Sequence, residues 1–350
     1  MTGFTVVGTP GDRRVRSFGA ACAAEGLPAP HVVSWATLLR GDPFEVRGLL
    51  RVDSPGEDPE TDALLRGPGP PSRVGGGARW HAGLVRGLAR LRPHEPLSDP
   101  EEIAVLFDKR LCHARLLGAG VPVPPALAAV HGYAGLREQM AEAGWTRVFV
   151  KPAHGSSASG VVALHVSATR IKAVTSAAWQ DGGWHNSLRV RSYESVAEVA
   201  RLVDALAPDG LHVEQWFPKA AQHGQNLDLR VVVIGGVPTH AVVRTSRAPM
   251  TNLQLGGTRG DLQAVREATD WDQAMDVCAR AAACFPGSLM VGVDLLVGRG
   301  RQSFAVGEVN AFGDLLPGLT GMPGGGAEGM DTYTAQVRAA LARKAVPCAT

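Results

Sequence analysis

Short apolar runs, some alternating with polar residues, recur along this chain with turn residues between them. Residues 4–7 read as a strand entering Gly8-Thr9-Pro10-Gly11, then a helix-like stretch to Ala24 and a second strand over 31–34. This βαβ opening predicts a small α/β domain. The full G-x-G-x-x-G pattern is absent, so Gly8 and Gly11 are read as a tight strand-to-helix turn. Residues 66–77 are rich in Gly and Pro and read as a mobile loop, with an amphipathic helix around 80–91. Asp99, Pro100 and Glu102 supply an N-cap, a first helical position and an acid three after the cap. Ile103, Leu106, Phe107 and Leu111 extend the apolar stripe of that helix, which Gly118 ends. A boundary near residue 97 divides an N-terminal unit, 1–97, from a larger unit, 98–345.

Beyond it, strands are expected over 147–152, 161–164, 212–217, 229–234 and 239–243, with helices over 192–206 and 331–344. Strands and helices alternate with several hairpins, which points to α+β units rather than one parallel sheet. Two further apolar strands, 292–297 and 305–310, flank a Gly-Arg-Gly-Arg-Gln turn. Glu308 and Asn310 are two apart and share a face. If the hairpin is symmetric about Arg301, Asp294 lies opposite Glu308, with Cβ atoms roughly 5 Å apart. Two carboxylates among Val and Leu repel and resist desolvation unless a cation lies between them. Asp, Glu and Asn together suit a hard divalent ion, Mg²⁺ first. A solvated face of an edge hairpin is the competing reading.

Composition narrows the class. The 350 residues are 45% hydrophobic and 19% charged, as in a soluble globular protein of two or three domains. A net charge of +2 implies neither nucleic acid nor membrane as partner. Five scattered cysteines lack metal-type pairing and imply reduced thiols in a cytoplasmic protein without a signal peptide. Only five of the 35 basic residues are lysines (109, 151, 172, 219, 344). Where Arg is so preferred, a retained Lys suggests a need for an ammonium's point charge.

Lys151 ends a strand before a loop holding Gly155, Ser156, Ser157, Ser159 and Gly160, which could present N–H groups and hydroxyls to phosphate. An ordinary hairpin tip is the alternative, and no Walker A motif is present. Glu214-Gln215-Trp216-Phe217 could provide an apolar slot and backbone bonds for an adenine, or end a core strand. Asp228 and Arg230 share a strand face, suiting an anion partner or a structural ion pair. Arg244, Arg247 and Asn252 lie in or before a Gly-terminated loop that could close over an anionic intermediate or be solvated surface.

In order, DKRLCHARLLGAGVPVP, VFVKPAHGSSASGV, VEQWFP, DLRVVVIGG, TNLQLGG and GVDLLV with GEVNAFGDL resemble the ATP-grasp superfamily. The likeness covers residues of about 100–320 and is greatest to glutathione synthetase and the ligases that add glutamate to a ribosomal protein. It implies an ATP-grasp fold of two α+β subdomains with a hinge near 214–218, preceded by a small α/β pre-ATP-grasp domain. It also implies that Lys109 and Lys151 contact ATP phosphates and the adenine side under the 154–160 loop. Glu214, Gln215, Trp216 and Phe217 become the adenine hinge, mainly through backbone groups. Arg230 stabilises phosphoryl charge. Asp294, Glu308 and Asn310 hold one or two Mg²⁺, with Mn²⁺ as a substitute. The implied activity joins a small-molecule or peptide carboxylate to an amine through an acyl phosphate. A phosphotransferase on the same fold and a non-catalytic nucleotide binder are the alternatives. Two departures stand out. Residues 174–189, with Trp179 and Trp184, are an insertion, and the family's acidic ribose contact after the hinge is not evident in Ala220-Ala221-Gln222-His223.

Overall fold

Runs of β-branched and apolar residues pair into three sheets. The computed structural model describes residues 3–345 except 57, 95, 156, 157 and 314. At the N-terminus, β1 (Phe4–Gly8), β2 (His31–Ser34) and β3 (Leu49–Val52) form a parallel sheet in the order β2-β1-β3. Parallel pairing requires crossovers. The first is α1 (Arg13–Ala24), capped by Asp12, and the second contains α2 (Trp35–Arg40), capped by Ser34. Two helices follow, α3 (Pro59–Arg66) and α4 (Gly77–Ala89).

The segment between them, expected as a loop, is hydrogen-bonded through two arginines. Arg66 donates to the carbonyls of Arg73 (3.0 Å) and Gly75 (3.3 Å), and Arg73 to those of Gly67 (2.6 Å) and Pro70 (3.2 Å). Two guanidinium forks thereby add partners for carbonyls of a Gly- and Pro-rich segment whose backbone turn bond runs from the Arg73 N–H to the Pro70 carbonyl at 3.1 Å.

Residues 100–118 form two helices rather than one: α5 (Pro100–Leu106) and α6 (Lys109–Gly118). Asp108 restarts the helix, its carboxylate accepting from the N–H of Arg110 at 2.9 Å. The restart changes the angular phase, so Leu111, expected on the apolar stripe, is 52% exposed. No capping box closes at Asp99 either. The Asp99 N–H donates to the Gly287 carbonyl at 3.2 Å. The buried Glu102 carboxylate instead accepts from Gly287 N–H (2.9 Å) and Ser288 Oγ (2.7 Å).

After α7 (Tyr133–Glu142) come β4 (Arg147–Pro152), β5 (Val162–Val166), β6 (Ile171–Gln180) and β7 (Gly183–Tyr193). With β8 (Leu211–Gln215) they make an antiparallel sheet ordered β7-β6-β5-β4-β8. Leu136 and Met140 of α7 cover one face of this sheet, beside Val199, Leu202 and Val203 of α8 (Val196–Leu206). The helix expected from 192 begins at 196 because β7 runs on to Tyr193. The 174–189 insertion lies in the β6–β7 hairpin. Its Trp179 and Trp184 meet edge to face at 5.4 Å, and Arg201 of α8 sits 4.5 Å over Trp179.

The third sheet contains β9 (Ala221–Gln222), β10 (Gln225–Ile234), β11 (Val237–Ser246), β12 (Thr258–Arg259), β13 (Met290–Val297) and β14 (Phe304–Asn310). Its order is β12-β11-β10-β13-β14, with β9 on β10. Val265 of α9 (Leu262–Glu267), with Ala274, Val277 and Cys278 of α10 (Trp271–Ala283), packs on its apolar face. The closing α11 (Thr332–Ala345) returns to the N-terminal sheet, where Tyr333 and Val337 pack with Phe4 and Phe18.

Glu102→Ala removes the carboxylate that serves Gly287 and Ser288. An unfolding free energy lower by about 1–3 kcal/mol is expected, read as a lower urea midpoint with an unchanged slope. An unchanged midpoint would show that this contact adds nothing.

Candidate active site

The second and third sheets face one another across a cleft of about 790 Å³, and side-chain parity decides what each presents to it. On β4, Val148 and Val150 are buried toward the helices, while Phe149 and Lys151 line the cleft. On β13, Val293 and Leu295 pack on α10, while Asp294 and Leu296 line the cleft.

The hairpin register is as expected at its chemical end. Asp294 pairs directly with Glu308, and Gly292 with Asn310. A bulge between Asp294 and Leu295 shifts the turn end, so Val297 pairs with Phe304 and the symmetry about Arg301 is lost there. The bulge falls at Gly307, whose carbonyl accepts from Lys151 Nζ at 3.3 Å.

Every carboxylate here has a basic partner. Arg230 Nε lies 2.5 Å and an Arg244 amine 3.2 Å from Asp294 Oδ1. Burial pushes the Asp294 carboxyl up, but the two guanidinium groups outweigh it and hold the pKa below the usual carboxylate range. Arg244 Nε also meets Asp228 Oδ1 at 2.8 Å, and Lys219 Nζ lies 3.6 Å from Asp228 Oδ2. Thr251 donates to that second oxygen and brings the 249–252 loop against the sheet. Burial lowers the Arg244 pKa, yet Asp228 and Asp294 raise it overall. Lys109 Nζ lies 2.9 Å from Glu308 Oε1 and donates to the Gly155 carbonyl at 2.5 Å. Lys151 is bonded to Glu214, whose other oxygen lies 3.4 Å from His212 Nε2.

Lys109, Lys151, Gly155, Glu214, Phe217, Arg244, Asn252, Asp294 and Glu308 all line this one cleft. Arg230 joins them through Asp294, and Asn310 sits one rung farther along β14, its Nδ2 donating to the Gly292 carbonyl at 3.4 Å. Gly160 does not line the cleft, Arg247 is exposed on the surface, and Ser156 and Ser157 lie outside the described residues. Gln215 and Trp216 are also set back. Their N–H groups donate to the carbonyls of Pro125 (2.8 Å) and Arg147 (3.1 Å), and Trp216 packs on Phe149 at 5.0 Å. Neither Trp179 nor Trp184 reaches the cleft.

Phe149, Val161, Met250 and Leu296 also line it without having been singled out in the sequence, whereas Asp228, the loop from Thr251 and the rare Lys219 were singled out and line it too. Parity with Lys151 and Asp294 could have found Phe149 and Leu296. Met250 carries no such signal. The lining has an apolar part, where Phe149, Val161 and Met250 cluster, and a charged part at Lys109, Asp294 and Glu308. Among the described residues, no cluster of three or more His, Cys, Asp or Glu is placed to hold a metal. The hairpin's hard donors are two acids, Asp294 and Glu308, and an amide, Asn310, on adjacent rungs. Cys112, nearby and buried, has its thiol pushed up to about 12 by burial.

Burial raises the Glu214 carboxyl, but Lys151 and His212 outweigh this and bring it down from 4.5 to about 2. A depressed acid stabilises the fold fully above its unfolded value, and that contribution is lost as pH falls through the folded value. Glu214 therefore contributes on the order of 3 kcal/mol at neutral pH, lost between about pH 4.5 and pH 2. Glu214→Gln should be less stable than wild type at neutral pH, and the gap should narrow as pH falls toward 2. Denaturant midpoints across that range provide the check, and a constant gap would contradict the assignment.

No protein-family model matches the chain, and no curated protein matches its sequence. Solved structures do. D-cycloserine synthetase DcsG is 20% identical, with a TM-score of 0.58 over 97% of this chain and 99% of that one. The ATP-grasp ligase PsnB, bound to a precursor peptide and AMPPNP, is 19% identical, with a TM-score of 0.53 over 98% of each chain. N5-carboxyaminoimidazole synthase from Aspergillus clavatus, in complex with ADP and 5-aminoimidazole ribonucleotide, is 12% identical, with a TM-score of 0.58 over 97% of this chain and 77% of that one. No helix among the described residues is long and apolar enough to cross a membrane. By its topology and by likenesses that run its whole length, this chain has the ATP-grasp fold.

Proposed function

We propose that the protein is an ATP- and Mg²⁺-dependent ligase that joins a carboxylate to an amine through an acyl phosphate. The observation that carries this reading is the Asp294–Glu308 rung, which faces Lys109, Arg230 and Arg244 at the charged part of a cleft that also has an apolar part. An adenine fits the apolar part beside Phe149 and Met250, with Glu214 and Phe217 at its edge. A triphosphate then runs along Lys151 and Lys109 toward Asp294 and Glu308. Lys219 and Asp228, on the wall between, are candidates for the unassigned ribose contact.

Asp294, Glu308 and Asn310 are an all-oxygen set that fits Mg²⁺. When bound, the ion would neutralise charge on the β- and γ-phosphates. The protein's own groups do the rest. Arg230 and Arg244, now closed on Asp294, and Lys109, now closed on Glu308, are cations poised to turn toward an arriving anion. Arg230 is positioned to bear charge on the transferred phosphoryl group.

In the first step a substrate carboxylate oxygen bonds to the γ-phosphorus, the bridging P–O bond breaks, and ADP leaves. In the second, an amine attacks the acyl carbon, the C–O bond to phosphate breaks, and the amine's proton leaves with the phosphate. No covalent protein nucleophile is needed. Charge neutralisation and positioning are the protein's contribution. The DcsG and PsnB likenesses support ligase chemistry, and the peptide in PsnB supports a small molecule or a peptide as substrate.

Mg²⁺-dependent ADP release against a panel of carboxylates and amines tests this, with hydroxylamine trapping the activated acid as a hydroxamate. Glu308→Gln and Arg230→Ala should each cut the rate by about 100-fold or more while the fold persists. A stable phosphorylated product without hydroxamate would make the protein a phosphotransferase. Full activity in Glu308→Gln would overturn the metal assignment.

A further inference from the structure

The N-terminal unit does more than precede the grasp. Residues 72–74 add to the open edge of β7: Asn186 N–H donates to the Ser72 carbonyl (2.6 Å), Val74 N–H to the Trp184 carbonyl (2.8 Å), and Arg73 bridges His185. Immediately afterwards the same segment meets His154 and Gly160, the two ends of the serine-glycine loop. A Cβ on Gly160 would lie 2.7 Å from Val74 Cγ1, and a Cβ on Gly77 would lie 2.8 Å from the His154 carbonyl oxygen. Backbone and side chain are therefore in contact with no space between them. Ala78 N–H donates to Asp209 Oδ1 at 3.2 Å, and the neighbouring Gly210 carbonyl accepts from Ala153 N–H at 3.0 Å, just before the loop.

One turn into α4, His81 stacks on His154, with ring centroids 4.2 Å apart and planes 18° apart. Each ring is fixed by a carbonyl: His81 Nε2 with Ala104 at 2.8 Å, and His154 Nδ1 with Phe107 at 3.2 Å. The loop's far side faces Lys109, whose ammonium takes the Gly155 carbonyl. The segment also walls a second cleft, which shares Pro152, Gly155 and Ser159 with the nucleotide cleft.

We propose that segment 72–81 is the positioning element of the phosphate-facing loop, and that His81 acts on the triphosphate through His154. This rests on the nucleotide reading of the cleft. It goes further by assigning to the N-terminal unit a share in gripping the phosphates, separate from any substrate it binds. His81 touches no nucleotide in this scheme and is a positioning residue.

The test compares Mg²⁺-AMPPNP with adenosine by calorimetry on the full-length protein, together with hydrogen exchange of loop peptides without nucleotide. His81→Ala should weaken AMPPNP binding by about threefold to tenfold, the worth of one ring contact, and leave adenosine unchanged. The loop amides should exchange faster. His81→Phe keeps a ring over His154 and should restore both readouts. Gly77→Ala, which presses a methyl group on the His154 carbonyl, should again weaken AMPPNP selectively. Equal losses for both ligands, or unchanged loop exchange in His81→Ala, would overturn the proposal. If wild type binds neither ligand, the nucleotide reading fails, and the exchange data still decide whether His81 and Gly77 position the loop.

Discussion

Asp294 and Glu308 face each other on neighbouring strands of a largely buried sheet, and the cleft is organised around keeping that pair tolerable. Two carboxylates so close destabilise any fold that leaves them bare. Here Arg230 and Arg244 hold one and Lys109 holds the other. Because those cations come from β10, β11 and the start of α6, neutralising one hairpin rung ties together elements far apart in sequence. The arrangement also stores the site's electrostatics in a usable form. Each of these cations is already largely buried and held by an acid in the cleft.

The same economy explains the flanking pairs. Asp228 gathers Arg244, Lys219 and Thr251, joining the sheet to the loop that borders the cleft. Glu214 gathers Lys151 and His212, joining β4 to β8. Buried ion pairs of this kind add little net stability over apolar packing, but removing one partner is costly. Their presence in an otherwise apolar interior fits a site maintained for chemistry.

The chemical residues of the strands were legible because parity along a strand is strict. Lys151, Arg230, Asp294 and Glu308 interrupt apolar runs at positions that must share a face, and the structure puts them around one cleft. Loops and helix ends were less legible. Asp108 could continue a helix or cap a new one, and only the packing of α6 against the 153–155 segment selects the cap. Glu102 has the spacing of a capping box but finds a better partner 185 residues away. The Gly- and Pro-rich stretch after α3 has no regular pattern, which reads as mobility, yet Arg66, Arg73 and the edge of β7 give its backbone partners.

Local pattern thus determined where the strands that carry Lys151, Arg230, Asp294 and Glu308 run, which face of each bears charge, and that two acids and an amide stand together near the C-terminal hairpin. Those outcomes depend on backbone periodicity, which acts over a few residues. Tertiary structure alone decided which cation neutralises which acid, that Gln215, Trp216 and Arg247 stand back from the cleft while Lys219 and Asp228 enter it, and that an N-terminal segment packs against His154 and Gly160. Each of these depends on contacts between elements tens to hundreds of residues apart, set by burial and by the need of every buried charge and carbonyl for a partner.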